Sequence, residues 1–218
     1  MKVMDICDLK NEAKIFCEFM KKENHSSLIG VTDGKAVGTY VEHRFQDYIS
    51  SKYEIEIGSS AKGIDLPGAS IETDIKVTSI IQPQSSCPFK NARQKIFGLG
   101  YNLLVFVYDK KETATTCTLD FKSCAFVESA KTADFTTTKR LREMIDDGAN
   151  KDDIIGYLTD KNLPGDDIVY SDLADEILAN KPEQGYLTVT NAMQWRLSYG
   201  RVIKLNNTVS GVWNYGWE

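Results

Sequence analysis

The sequence predicts an α/β fold in which a mixed β-sheet is flanked by helices, followed by a helical and strand-rich C-terminal part. Three observations point there. Between residues 35 and 108 the hydrophobic period changes in the order helix, strand, strand, helix, strand, the pattern of a sheet with helices packed on its faces. The run YNLLVFVY at 101–108 is apolar without interruption, as expected of a strand buried on both faces. From about residue 136 the texture changes to three helix-like segments and then a short strand-rich tail. We therefore divide the chain near 135, into a core of residues 1–135 and a subdomain of residues 136–218.

Leu9, Ala13, Phe16 and Met20 recur at helical spacing and predict an amphipathic helix over 8–23. Val37, Val41, Phe45 and Tyr48 form one stripe of a second helix over 35–49, with Glu42 at its border. The segment YEIEIG (53–58) alternates, and GIDLPGASIETDIKVTSI (63–80) reads as two strands joined around Pro67 and Gly68, a pair that favours a turn. Pro88 suits a first helical position, and the helix it opens, FKNARQKIFGLG, ends in glycines suited to a C-terminal cap. Residues 114–128 add one or two strands. Segments 136–148, 150–162 and 171–181 read as helices separated by Gly, Asn or Pro, and 185–205 as the strand-rich tail.

Composition and motif content narrow the function classes. No run approaches the roughly 18 apolar residues of a membrane helix. The N-terminus MKVMDICDLKNEAK lacks the basic start and apolar stretch of a signal peptide, so a cytoplasmic protein without a membrane partner is expected. Cys7, Cys17, Cys87, Cys117 and Cys124 contain no Cys-x-x-Cys pair, and His25 and His43 do not complete a zinc cage beside them, so free thiols are expected. There is no phosphate-cradling Gly-x4-Gly-Lys-Ser/Thr loop, no dinucleotide fingerprint and no nucleophile elbow. The net charge of −5 is unevenly spread: residues 76–111 carry six Lys/Arg and one acid, whereas 143–183 carry twelve acids and three lysines. A polyanion can meet the first region and avoid the second.

The residues that point to chemistry lie in 63–76. Alternate residues of a strand share a face, so Glu72, Asp74 and Lys76 are expected to project together while Ile71, Ile75 and Val77 point into the core. Asp65 supplies a carboxylate from the preceding strand. Carboxylates attract hard cations such as Mg²⁺. An ion held there polarises a phosphate oxygen and lowers the pKa of a bound water, while Lys76 stabilises the pentavalent phosphate or the attacking hydroxide. A two-residue turn at Pro67-Gly68 would pair Asp65 with Ser70 and leave Asp74 roughly 13 Å away, too far for one ion to bridge. Either the loop is wide, running from about Leu66 to Thr73, or a bulge shifts the register, with Glu72 as the alternative ligand.

The pattern Gly63-Ile64-Asp65, eight residues, then Asp74-Ile75-Lys76 resembles the PD-(D/E)XK nuclease motif in the variant whose second acid is aspartate, with Ile64 in place of the proline. The flanking order agrees. The family places a helix carrying a glutamate before the hairpin, matched by Glu42, and a helix and buried strand after it, matched by 88–100 and 101–108. The resemblance covers about residues 35–110, and GIDLPGASIETDIKVTS with the polar loop and basic helix behind it is similar in particular to type II restriction endonucleases. It implies a restriction-endonuclease-like fold and Mg²⁺-dependent, sequence-specific hydrolysis of double-stranded DNA leaving 5′-phosphates, usually by a homodimer. By residue it implies Asp65 and Asp74 as metal ligands, Lys76 as the catalytic lysine and Glu42 as an outer catalytic carboxylate. A repair or nicking nuclease of the same superfamily and a non-catalytic DNA-binding protein stay open as alternatives.

DNA contacts are expected from several segments. Gln82, Gln84, Ser85 and Ser86 leave the catalytic strand directly and suit backbone or groove contacts. Lys90, Arg93 and Lys95 on the next helix can neutralise phosphates. Lys139 and Arg140, with Arg142, form a basic cluster at a helix start, where Thr136, Thr137 and Thr138 offer capping hydroxyls and unpaired amides that suit phosphate. In the tail, Asn191, Gln194 and Arg196 carry donors and acceptors matched to base edges, and Arg201 and Lys204 follow. Residues 136–218 are thus expected to serve DNA recognition or dimerisation, with Tyr199, Trp213, Tyr215 and Trp217 packing a dimer interface or covering a sheet edge.

Overall fold

A computed structural model describes residues 1–58, 63–190, 196–205 and 207–216. A two-residue strand, β1 (Lys2–Val3), pairs in parallel with β2 (Tyr53–Glu54). Between them lie two helices. α1 (Ile6–Met20) starts at a reciprocal cap between Asp5 and Asp8 and buries Leu9, Ala13, Phe16, Cys17 and Met20. α2 (Gly34–Ser50) is capped by Asp33 and buries Val37, Val41, Phe45 and Ile49, a stripe of four-residue steps. Of the alternating segment 53–58, only the first two residues pair with β1.

β3 (Thr73–Ser79) and β4 (Gln84–Ser86) precede α3 (Ala92–Phe97), and β5 (Asn102–Glu112) and β6 (Cys117–Val127) follow it. Three more helices, α4 (Phe135–Asp146), α5 (Lys151–Asp160) and α6 (Asp167–Ala179), lead to β7 (Thr188–Thr190), β8 (Arg196–Ser198) and β9 (Val212–Gly216). The main sheet has the order β3-β5-β6-β9. Its β3–β5 pair is parallel, from Thr73 beside Asn102 to Ser79 beside Tyr108, and the other pairs are antiparallel. That is the mixed α/β sheet expected. A smaller antiparallel sheet has the order β4-β8-β7.

β5 is buried on both faces, as its unbroken apolar run requires. On one face Leu104 and Phe106 meet Phe16, Phe45 and Phe121 from α1, α2 and β6. On the other, Leu103, Val105 and Val107 meet Leu187, Leu197, Tyr199 and Val212. A third cluster joins Ala92 and Ile96 of α3 to Leu141, Ile154, Leu158, Leu173 and Ile177 of α4 to α6. The part beyond residue 135 is therefore knitted to the part before it by β4–β8 and β6–β9 pairing and by a shared helical core.

Several local expectations are corrected. Pro88 does not open α3: the Asn91 side chain caps it by accepting from the Gln94 N–H, and Phe89 is drawn into the core behind β5, which holds the residues before Asn91 out of the helix. Gly98, at φ 90, does end it. Residues 114–128 contain one long strand. β9 covers the edge of β6 and carries Trp213 and Tyr215 stacked on each other, Tyr199 is fully buried, and Trp217 lies outside the described residues. Among the described residues no helix is long and apolar enough to cross a membrane, and all five cysteines are free.

The Phe106 ring lies 5.8 Å, 5.1 Å and 5.9 Å from those of Phe16, Phe45 and Phe121 and is fully buried, so it ties α1, α2 and β6 to the central strand. Phe106→Ala is expected to cost about 3–5 kcal/mol in urea unfolding, through lost burial and the cavity left behind. A loss under about 1 kcal/mol would show that this cluster does not hold the layers together.

Candidate active site

The two acids of the 63–76 segment meet because the loop between them is wide. Leu66 and Thr73 exchange both backbone hydrogen bonds at 2.9 Å, so the chain leaves at Pro67 and returns at Glu72. The two-residue turn at Pro67-Gly68 is thereby replaced by the broader of the two geometries considered. Asp65, next outward from Leu66, comes opposite Asp74, next inward from Thr73. The Asp65 carboxylate accepts the Ile75 N–H at 2.8 Å, a donor on the side of β3 away from β5. Gly58 closes the arrangement: its N–H donates to the Asp65 carbonyl at 2.7 Å, and a Cβ there would stand 1.9 Å from the Ile64 carbonyl oxygen.

Along β3, Asp74, Lys76 and Thr78 share one face. Asp74 is only 3% exposed, and the Lys76 ammonium lies 2.6 Å from its carboxylate. α2 packs on β3 with Gly38 close to Val77, and Glu42, one turn further along, is half-buried and hydrogen-bonded to Asp65. Three carboxyls from three elements thus gather with one ammonium. Burial pushes Glu42 up to about 7, reinforced by the Asp65 carboxylate and opposed by Lys76. Burial likewise pushes Asp74 up to about 7, reinforced by its hydrogen bond to Asp65 and opposed by Lys76.

Those shifts describe a site short of positive charge. Its donors are hard oxygens, the set that suits Mg²⁺. As the side chains stand, among the described residues no three acids, histidines or cysteines already surround a point where an ion would fit. The carboxyls hold one another by hydrogen bonds, and Lys76 occupies Asp74. The donor chemistry of Asp65 and Asp74 fits a hard divalent ion that would relieve their crowding. Glu72 is not brought to them: it precedes β3, takes φ 27, which breaks the alternation, and is exposed.

Tyr101 and Tyr199 were not singled out as neighbours of the site by sequence, although both stand near its negative charge. Burial, with the Asp74 and Asp65 carboxylates, pushes the Tyr101 phenol up to about 12. Burial also raises Tyr199, whose hydroxyl lies 2.6 Å from Ser85 Oγ. Thr78 was missed as well. Continuing the Asp74, Lys76 alternation by two residues was the signal that finds it.

Beyond Thr78 a polar cleft of about 320 Å³ opens between the start of α2 and the small sheet, lined by Thr78, Ser79, Gln82, Gln84 and Arg196. Gln84 pairs with Ser198, Ser85 with Leu197 and Ser86 with Arg196. Directly opposed residues share a face, so Gln84, Ser86, Arg196 and Ser198 form a polar face while Leu197 and Val189 are buried against the main sheet. Gln82, Gln84, Ser86 and Arg196 are thus brought together from segments over a hundred residues apart. Ser85 points the other way, to Tyr199.

The other basic candidates scatter. Arg93 is held by Glu176 of α6 through three hydrogen bonds of 2.6–3.0 Å, and Lys95 is buried, its ammonium pushed down by burial against the pull of Asp134. Both face the helical lobe because α3 packs on α4 to α6. Lys90 is exposed. Lys139 and Arg140 lie 3.8 Å from Glu143, and the α4 start is capped by Asp134, a carboxylate where an anion site was expected. Arg142 donates to the Pro182 carbonyl. Arg201 stacks 3.6 Å from the Phe135 ring. Asn191 and Gln194 lie outside the described residues.

The family model for the Type II restriction enzyme NspV matches residues 3–214. The chain is 51% identical over 214 residues to the Type II restriction enzyme NspV of Nostoc sp. (strain ATCC 29411 / PCC 7524), covering 97% of this chain and 96% of that protein. No solved structure matches the chain.

The raised carboxyls have a consequence for stability. Folding lifts Asp74 and Glu42 to about 7, whereas unfolded carboxyls titrate near ~4. Their contribution is complete below the unfolded value and lost as pH rises through about 7. Without divalent cations, Asp74→Asn is expected to gain about 1–3 kcal/mol relative to the parent between roughly pH 5 and pH 8 in denaturant unfolding. Parallel pH profiles would mean that Asp74 carries no such burden.

Proposed function

The chain belongs to the Type II restriction enzyme NspV family and is a site-specific endodeoxyribonuclease, and we propose that it cuts double-stranded DNA by Mg²⁺-dependent phosphodiester hydrolysis of the PD-(D/E)XK type. The observation that carries this reading is the convergence of Glu42, Asp65 and Asp74 beside Lys76. Asp65 and Asp74 offer the oxygen ligands. When bound, Mg²⁺ supplies phosphate polarisation and a more acidic water. Lys76 places a positive charge beside that position and stabilises the charge that builds on the phosphate. Glu42, with its carboxyl near 7, holds or releases a proton close to neutral pH next to Asp65.

DNA lies, on this reading, over the polar face of the small sheet, where Gln82, Gln84, Ser86 and Arg196 offer the paired donors and acceptors that match base edges. Residues beyond 135 then contribute the recognition strand β8. Cutting both strands of a duplex favours a homodimer that presents one such site to each strand, and light scattering is expected to give twice the chain mass of 24.5 kDa; the cut ends are expected to carry 5′-phosphates.

Incubation with phage DNA and Mg²⁺ is expected to give discrete fragments whose mapped ends define the site. Smears, or no cleavage at any salt concentration with Mg²⁺ or Mn²⁺, would count against this reading, and nicks confined to one strand of a plasmid would favour a nicking enzyme. Lys76→Ala is expected to lower cleavage by about 10²–10³-fold, the scale of a lost charge-stabilising group, while a mobility-shift assay still detects binding. A variant that cuts as fast as the parent removes Lys76 from the chemistry.

A further inference from the structure

Thr78 stands at the join between the two sheets. It lies on the face of β3 that carries Asp74 and Lys76, and it is 5% exposed. Its hydroxyl accepts the Gln84 N–H at 3.1 Å and lies within donating distance of the Gln84 carbonyl at 3.0 Å and the Gln82 carbonyl at 3.2 Å. One side chain of the catalytic strand therefore grips the segment that carries Gln82 and Gln84 into the cleft. The far side of β4 is held separately: the Tyr199 hydroxyl meets Ser85 Oγ, and the Tyr199 N–H donates to the Pro83 carbonyl at 2.9 Å.

We propose that Thr78 is a positioning residue that couples base recognition to cleavage, by fixing β4 and its partner strand β8 at a set distance from the acids of β3. This rests on the reading of Gln82, Gln84, Ser86 and Arg196 as the DNA-facing group. The physical basis is short range. A base contact that forms correctly loads strain or order onto β4, and the shortest path from β4 to Lys76 is two residues of β3. A hydroxyl that bonds both a donor and an acceptor of Gln84 transmits displacement in either direction, whereas an apolar contact would let β4 slide. Valine fills the same volume as threonine without any of these hydrogen bonds, and serine keeps the hydroxyl while losing a methyl group.

The test uses the full-length enzyme on two duplexes, one carrying the mapped site and one differing from it by a single base pair. The readout is the ratio of their kcat/KM values. Thr78→Val is expected to lower that ratio by about tenfold or more, because a loosened β4 weakens the penalty for a mismatch. Thr78→Ser is expected to restore most of it, and Tyr199→Phe, which removes only the bond to Ser85, to lower it as well. A merely structural role would slow both duplexes in proportion and leave the ratio unmoved. A parental ratio in T78V and Y199F overturns the proposal, as does equal slowing on both duplexes. If T78V does not fold, Y199F and T78S decide: a lowered ratio in Y199F with a near-parental one in T78S supports the coupling, and any other combination overturns it. The parent's own discrete fragments keep the two readings apart. Their absence sinks the DNA-cutting assignment, whereas their presence with unmoved ratios in the variants sinks only the coupling.

Discussion

The pair of backbone hydrogen bonds between Leu66 and Thr73 sets the distance between Asp65 and Asp74, and with it the character of the whole site. A tighter turn would leave the two carboxyls several residues apart along the ladder. β3 is an edge strand of the main sheet, so it needs a partner on its outer side. The short segment around Leu66 provides one, and the Asp65 carboxylate takes the Ile75 N–H where another strand's carbonyl would otherwise sit. The same geometry that protects the edge also brings the acids together.

Assembling acids in a half-buried place is unfavourable, and the surroundings show how the cost is contained. α2 approaches β3 closely at Gly38, which swings Glu42 over the edge, and the Lys76 ammonium offsets the negative charge from the strand itself. Glu42 and Asp74, both pushed up to about 7, complete the balance by keeping their protons further toward neutral pH than ordinary carboxyls do. A divalent cation would substitute for those protons, so metal affinity and carboxyl titration compete for the same oxygens. The rest of the fold makes this arrangement rigid. Phe16, Phe45, Phe106 and Phe121 lock α1, α2 and the main sheet into one layer pair.

The small sheet presents two unlike faces. Its apolar face, with Leu197 and Val189, seals the main sheet, and its polar face continues from the cleft. The helical lobe takes a different role, drawing in Arg93 through Glu176 and enclosing Lys95. Arg93 and Lys95, close together in the sequence, are thereby committed to structure, while the cleft-lining group is drawn from distant segments.

Period and spacing by themselves determined a good deal. The stripes on α1 and α2, the fully apolar β5 and the three later helices follow from side-chain direction within one element, which depends only on neighbours three, four or two residues away. The shared face of Asp74 and Lys76 was legible for the same reason, as was the place of Glu42 at the border of its stripe, whereas Glu72 leaves that face at φ 27 and the approach of Asp65 to Asp74 spans two segments. What tertiary structure alone decided is which elements touch: the wide return from Leu66 to Thr73, the pairing of Ser86 with Arg196, the burial of Lys95, and the meeting of Thr78 with Gln84. Those contacts depend on how loops close and which faces compete for the core, and a linear pattern carries no term for either.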